Sequence, residues 1–202
     1  MPPISPSDLF LSPDVAEEDR ERYLLELGFR HPKDASGHAR LLADDSSLRQ
    51  MLGPLAAPLL SALREAPDPD GALVGFSRYL PARKEKIAFL RYLQDNPQAL
   101  HALARILGTS PFLTEILVSS PEYFDWLMPQ VDRPAPSIQD DESERDLSPQ
   151  NVTLDALKTF KCRHMLRIGA LDILGHLTLQ AATAVIVRRT RSAVGLVAQS
   201  YS

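Results

Sequence analysis

The residue types best able to do chemistry in this 202-residue chain are paired carboxylates, five histidines and a lone thiol. Asp68-Pro69-Asp70 is the one Asp-x-Asp pair in the sequence. Two carboxylates at that spacing can hold divalent ions against a triphosphate. A proline between the acids suits a turn better than a strand edge, so the pair is read as a turn. A denser run, Asp140, Asp141, Glu142, Glu144 and Asp146, lies among Pro134, Pro136 and Pro149 with almost no large apolar neighbours. Such composition gives solvated charge in a linker rather than a metal site. His31, His38, His101, His164 and His176 contain no pair three or four residues apart, the spacing that puts two imidazoles on one helical face. Cys162 is single, which excludes an internal disulfide and a thiolate zinc site. The chain has neither a Gly-x-Ser-x-Gly elbow nor any Gly-Ser dipeptide. No catalytic, cofactor-binding or metal-binding residue is therefore expected in it.

Two groups could serve binding instead. Lys158, Lys161, Arg163, His164 and Arg167 form a basic cluster whose near aromatic is Phe160, while Leu157, Ile168 and Leu171 mark a core face. A nucleic-acid surface needs stacking or groove-reading partners that are missing here, so the cluster reads as a solvated or domain-docking face. Tyr123, Phe124 and Trp126 read as helix-packing surface. Charge is uneven: from Lys161 to Ser202 six cations face Asp172 alone, although the whole chain carries −4.

The elements that would position these groups are helical. Ser12-Pro13 is expected to open a helix that runs through Tyr23, Leu24 and Leu27 and stops at Gly28. A second is expected from Asp34 to Ala43. Pro54 and Pro58 should split Leu48 to Leu63 into two short helices. Ala66 to Gly71 reads as a turn, followed by helices from Ala72 to Tyr79 and from Pro81 to Leu93. Asn96-Pro97, Ser110-Pro111 and Ser120-Pro121 are three cap-plus-proline starts, with apolar residues at helical spacing behind each. A longer helix is expected from Val152 to about Leu174, ending near Gly175, and another from Thr178. The fold class is all-α, an irregular array of about eight to ten short helices with one acidic, Pro-rich linker. With no run of about 18 apolar residues and no basic-then-apolar start, neither a membrane span nor a secretory signal is indicated, and cytoplasmic residence is the default.

Several strings resemble the N-terminal region of bacterial glutamine-synthetase adenylyltransferases. They are LGFRHPKDA (Leu27 to Ala35), the Pro-Asp-Pro-Asp turn, LGTSPFLTEILVSSPEYFDWL (Leu107 to Leu127) and LKTFKCRHMLRIGALDILG (Leu157 to Gly175). The last resembles the family's basic run ending in Arg-Ile-x-x-x-Asp-x-Leu-Gly, with Leu171 standing where relatives often carry arginine. The resemblance implies a bifunctional enzyme with two nucleotidyltransferase domains, one attaching AMP from ATP to a tyrosine of glutamine synthetase and the other removing it by phosphorolysis. It further implies magnesium and ATP for the full-length protein, and glutamine synthetase and the PII signal protein as partners, with neither nucleic acid nor membrane. Each such domain carries a Gly-Ser motif before an Asp-x-Asp pair, machinery this chain lacks. The expected organisation is a helical leader over residues 1–128, a disordered linker over 129–150, a family-like helix region over 151–182 and a divergent basic tail over 183–202. That tail, with Val185, Ile186 and Val187 followed by Arg188, Arg189 and Arg191, has no acid from Thr183 onward, as a shifted reading frame would produce; plain divergence is the other reading. A truncated, inactive segment of the enzyme is thus expected, with a free-standing helical interaction or regulatory module as the alternative.

Overall fold

The computed structural model describes residues 4–131 and 153–176, and among these it contains ten helices and no strand. The all-α expectation holds. The chain divides into two compact units, Met1–Glu122 and Tyr123–Ser202. In the first unit the helices are α1 (Pro6–Leu11), α2 (Glu17–Glu26), α3 (Pro32–Asp44), α4 (Ser46–Arg64), α5 (Pro69–Ala82), α6 (Lys86–Asp95), α7 (Pro97–Leu107) and α8 (Pro111–Ser119). The second unit has α9 (Tyr123–Val131) and α10 (Leu154–Ile173).

The core of the first unit is built around α4. Its residues Leu52, Leu55, Ala56, Leu59 and Leu63 are fully buried, and α1, α6 and α7 pack against it. Packing explains why Pro54 and Pro58 do not divide this segment, contrary to the expectation of two helices. The two prolines lie four residues apart on the outer side, Pro54 exposed and Pro58 half-buried, next to exposed Gln50. Each ring removes a helical hydrogen bond. Near the outer face, water can serve the carbonyls left over, while the apolar face on the other side holds the helix together. The second hub is α5, packed against α3, α7 and α8. Gly75 lets these helices close: a Cβ there would lie 3.1 Å from Leu107 and 3.2 Å from Thr114.

Other boundaries differ from expectation for local reasons. Pro13 does not open a helix; residues 12–16 form the turn between α1, which was not foreseen, and α2. Ser5 starts α1 through a capping box with Asp8. Gly28 does end α2, at φ +96°. The turn before α5 spans Glu65 to Asp68, because Pro69 takes the first helical position rather than the turn. Pro81 closes α5 instead of starting α6. Of the three cap-plus-proline starts, Ser110 caps α8 by accepting from the Leu113 N–H at 3.3 Å. Asn96 turns its amide to the Tyr92 carbonyl at 2.8 Å, and α9 begins at Tyr123 rather than at Pro121. In the second unit Thr153 caps α10, and Gly175, at φ +80°, ends it as the sequence indicated. Pro129 to Val131 are helical; the rest of 129–150, the helix expected from Thr178 and the tail lie outside the described residues. No single described helix is long and apolar enough to cross a membrane. Helices α7 and α8 reach that length together, but they are bent by 118° and most of their apolar residues, Phe112 apart, are buried.

Candidate functional site

In the first unit, three strings far apart in the sequence come together. Asp70, in the first turn of α5, accepts the backbone N–H of Arg30 at 2.8 Å with one carboxylate oxygen and that of His31 at 3.0 Å with the other. His31 is the N-cap residue of α3 and makes no side-chain cap of its own. Asp70 thus satisfies N–H groups at the start of a helix about forty residues away in sequence, where a carboxylate is also favoured by the helix dipole. Asp68 is equally engaged in architecture. Its carbonyl accepts from the Ala72 N–H at 2.9 Å, and a Cβ at Gly71 would fall 2.5 Å from its carboxylate. The same carbonyl would lie 2.7 Å from a Cβ at Gly108, with Ala66 at 2.9 Å and Ala72 at 3.1 Å. Gly108 is therefore required by close approach of the α7 end to this turn. Beyond it, Thr114 donates to the Ser110 carbonyl at 3.0 Å. The Pro-Asp-Pro-Asp segment is a junction that fixes α3, α5 and α7, with the Asp70 carboxylate bonded to backbone N–H groups and the exposed Asp68 carboxylate beside Gly71.

In the second unit, the basic cluster and the aromatic group, which the sequence left separate, meet. The Arg163 guanidinium carbon lies 5.2 Å from the Tyr123 ring centre and 5.7 Å from that of Trp126. Its Nε is buried without a hydrogen-bond partner, so the rings are what hold it. His164 is buried edge-on against Phe160, ring centres 3.9 Å apart. Lys158 pairs loosely with Asp155 at 3.6 Å in a largely exposed position. Cys162 is half-buried on α10. The cluster is thus divided between two sides of α10: Arg163 stacks on the rings of α9, while Lys158 and Lys161 stand in solvent.

The remaining histidines are dispersed. His38 Nδ1 lies 2.9 Å from the Ser77 hydroxyl, which itself donates to the Val74 carbonyl at 2.8 Å. The serine proton is thus committed, so Nδ1 carries the hydrogen in this contact. His101 faces Glu65 at 3.2 Å, with both side chains substantially exposed. Among the described residues, no three His, Cys, Asp or Glu side chains are grouped so as to hold a metal ion.

Sequence reasoning missed two arginines. Arg20 is buried and donates to the carbonyls of Leu9, Ser12 and Val15. Its signal was available: a lone cation among Glu17, Glu18, Asp19 and Glu21, one turn before the buried Leu24. Arg83 donates to the Tyr79 hydroxyl at 2.7 Å and the Pro121 carbonyl at 2.9 Å, with its guanidinium 3.9 Å above Phe89. Tyr79, four residues before it, was within local reach, but the Pro121 carbonyl and the Phe89 ring needed the fold.

Comparison with known proteins places this helical chain. The glutamate-ammonia ligase adenylyltransferase family model matches residues 100–197, which takes in most of the segment from residue 183 that composition had set apart. The bifunctional glutamine synthetase adenylyltransferase/adenylyl-removing enzyme of Mycobacterium leprae is 29% identical over 98% of this chain, which covers 21% of that enzyme. The enzyme of the same name from Nocardia farcinica is 31% identical over 86% of the chain, covering 18% of its own length. That of Corynebacterium glutamicum is 29% identical over 88%, covering 17%. No solved structure matches. The recognition made from the four strings therefore stands: along most of its length the chain is similar to bifunctional glutamine synthetase adenylyltransferases, of which it spans about a fifth.

Proposed function

We propose that this chain is a helical scaffold segment of an enzyme that attaches AMP to glutamine synthetase and removes it, and that the segment supplies no catalytic residue itself. The observation that carries the reading is 28–31% identity to bifunctional enzymes of that name across most of the chain. The segment corresponds to about a fifth of those relatives, so the carboxylates that would hold magnesium and ATP belong to the remaining length. Geometry supports this division. Of the one Asp-x-Asp pair of the sequence, the Asp70 carboxylate is bonded to the backbone at the start of α3, and Asp68 holds the first turn of α5 through its carbonyl. Glutamine synthetase is the partner that follows from the relatives' names. The PII signal protein as a second partner, and the cytoplasm as the compartment, rest on the resemblance alone.

The contact role has a direct test. The purified chain, titrated into glutamine synthetase and followed by sedimentation velocity, is expected to co-sediment with it. Absence of any shift at chain concentrations up to about 100 μM, where an affinity of only about 5 kcal/mol would register, overturns the contact.

A further inference from the structure

We propose that α1 is a releasable strap across α3 and α4, and that Arg20 is its latch. Helix α1 has six residues, far below the length at which a helix stands alone in water. What keeps it helical and what keeps it docked are different sets of contacts. The helix-forming set is internal: Asp8 accepts from the Ser5 N–H at 3.0 Å and from the Ser12 hydroxyl at 3.0 Å, and the Ser5 hydroxyl accepts from the Asp8 N–H at 3.2 Å. These bonds travel with the segment wherever it goes.

The docking set is almost wholly apolar. Leu9 and Phe10 are buried as α1 packs on α3 and α4, and a Leu11 methyl lies 3.3 Å from where a Cβ at Gly53 would sit, so the strap rests on bare α4 backbone. Among the described residues, the polar tie supplied to α1 from outside is Arg20. Its guanidinium donates to the carbonyls of Leu9 and Ser12, and through Nε to that of Val15 at 3.2 Å. Leu9 and Ser12 lie at the C-terminal end of α1, where carbonyls lack helical partners and the helix dipole favours a cation. Val15 belongs to the turn, residues 12–16, that joins α1 to α2. A single side chain on α2 therefore closes the end of the strap and fixes its connecting turn at once. Arg20 itself is only 4% exposed. A buried guanidinium is tolerated where its donors are met, so latch and strap depend on each other: with the carbonyls withdrawn, Arg20 returns to water, and α1 loses the polar tie that α2 gives it. Opening at this turn uncovers the apolar surface of α3 and α4 that Leu9 and Phe10 cover.

Hydrogen exchange on the full chain tests this with Arg20→Met, which keeps the aliphatic bulk and removes the donors. The amides of Phe10, Leu11 and Ser12 are expected to exchange about tenfold faster or more, the effect of losing charge-assisted bonds, while those of Leu103 to Leu107 in α7 stay as in the parent. Arg20→Lys, whose ammonium cannot span three carbonyls, is expected to give a smaller acceleration at the same three amides. If Arg20→Met does not fold, the lysine variant is read by the same comparison. Unchanged exchange at Phe10 to Ser12, or equal acceleration there and in α7, overturns the proposal.

Discussion

The first unit and the described part of the second use the same helix punctuation but anchor it differently. Helix α2 ends with Gly28 donating to Leu25 at 3.0 Å and Phe29 to Leu24 at 3.1 Å; α10 ends with Gly175 donating to Asp172 at 3.0 Å and His176 to Leu171 at 2.8 Å. Both are Schellman endings closed by a left-handed glycine. After α2 the motif is sealed by the buried pair Leu24 and Phe29, whereas after α10 Leu171 is buried and His176 is exposed. Cations diverge in the same way. Arg20 in the first unit is held by three carbonyls, Arg163 in the second by the faces of two aromatic rings. The comparison teaches that a hydrogen-bond pattern read from sequence gives the ending of a helix, while the apolar or polar partner beyond it decides how firmly that ending is fixed.

The sharpest way to break the comparison is to remove the apolar seal. Phe29→Ala should destabilise the first unit by about 3–5 kcal/mol, the range for a buried phenylalanine, read from the urea midpoint by circular dichroism. Gly108→Val comes next, because its side chain would meet Asp68 carbonyl and Ala66; overpacking of about 1–3 kcal/mol is expected in the same assay. Gly28→Ala and Gly175→Ala have open space for the methyl but positive φ. Each should cost about 1–2 kcal/mol of local backbone strain, with faster amide exchange at Phe29 and at His176 respectively. Exchange at Phe29 should rise less, because its side chain remains buried. Arg163→Gln removes only the ring contacts and should lower stability by about 0.5–1 kcal/mol.

The smallest effect is a matter of pH. The bidentate bond from exposed Arg78, at 2.6 and 2.9 Å, holds the Glu115 carboxyl below its ordinary value of 4.5. A carboxyl lowered in the folded state binds its proton more readily when unfolded. Its contribution is therefore present above the ordinary value and fades as pH falls through the folded one. Glu115→Gln should lose slightly less stability than the parent on acidification from about pH 6 to 3, by urea titration at each pH.

Sequence legibility followed the range of the interactions. Gly28 and Gly175 were readable because a left-handed ending is a one-residue requirement. The start of α10 was readable from Thr153, whose hydroxyl accepts the Ala156 N–H at 3.1 Å. The unbroken α4 was not, because local rules charge Pro54 and Pro58 fully while the fully buried Leu52, Leu55, Leu59 and Leu63 that offset them depend on neighbours from α1, α6 and α7. Helix α1 carries a local start signal, Ser5 and Asp8 with Pro6 at the first helical position, that the sequence reading passed over; its docking and the bonds from Arg20 needed the fold. At the junction, Asp68-Pro69-Asp70 was read as a turn, whereas Pro69 and Asp70 open α5, and its partners Arg30, His31 and Gly108 lie too far along the chain for spacing to reveal. The meeting of Arg163 with Tyr123 and Trp126 likewise needed the fold.

As proposed above, this segment serves AMP-transfer chemistry as scaffold rather than as catalyst. Incubating the purified chain with glutamine synthetase, magnesium and ATP radiolabelled in the AMP moiety tests it most directly. No label on glutamine synthetase above a blank without the chain is expected, and no release of AMP from adenylylated enzyme given phosphate. Turnover in either direction would contradict it.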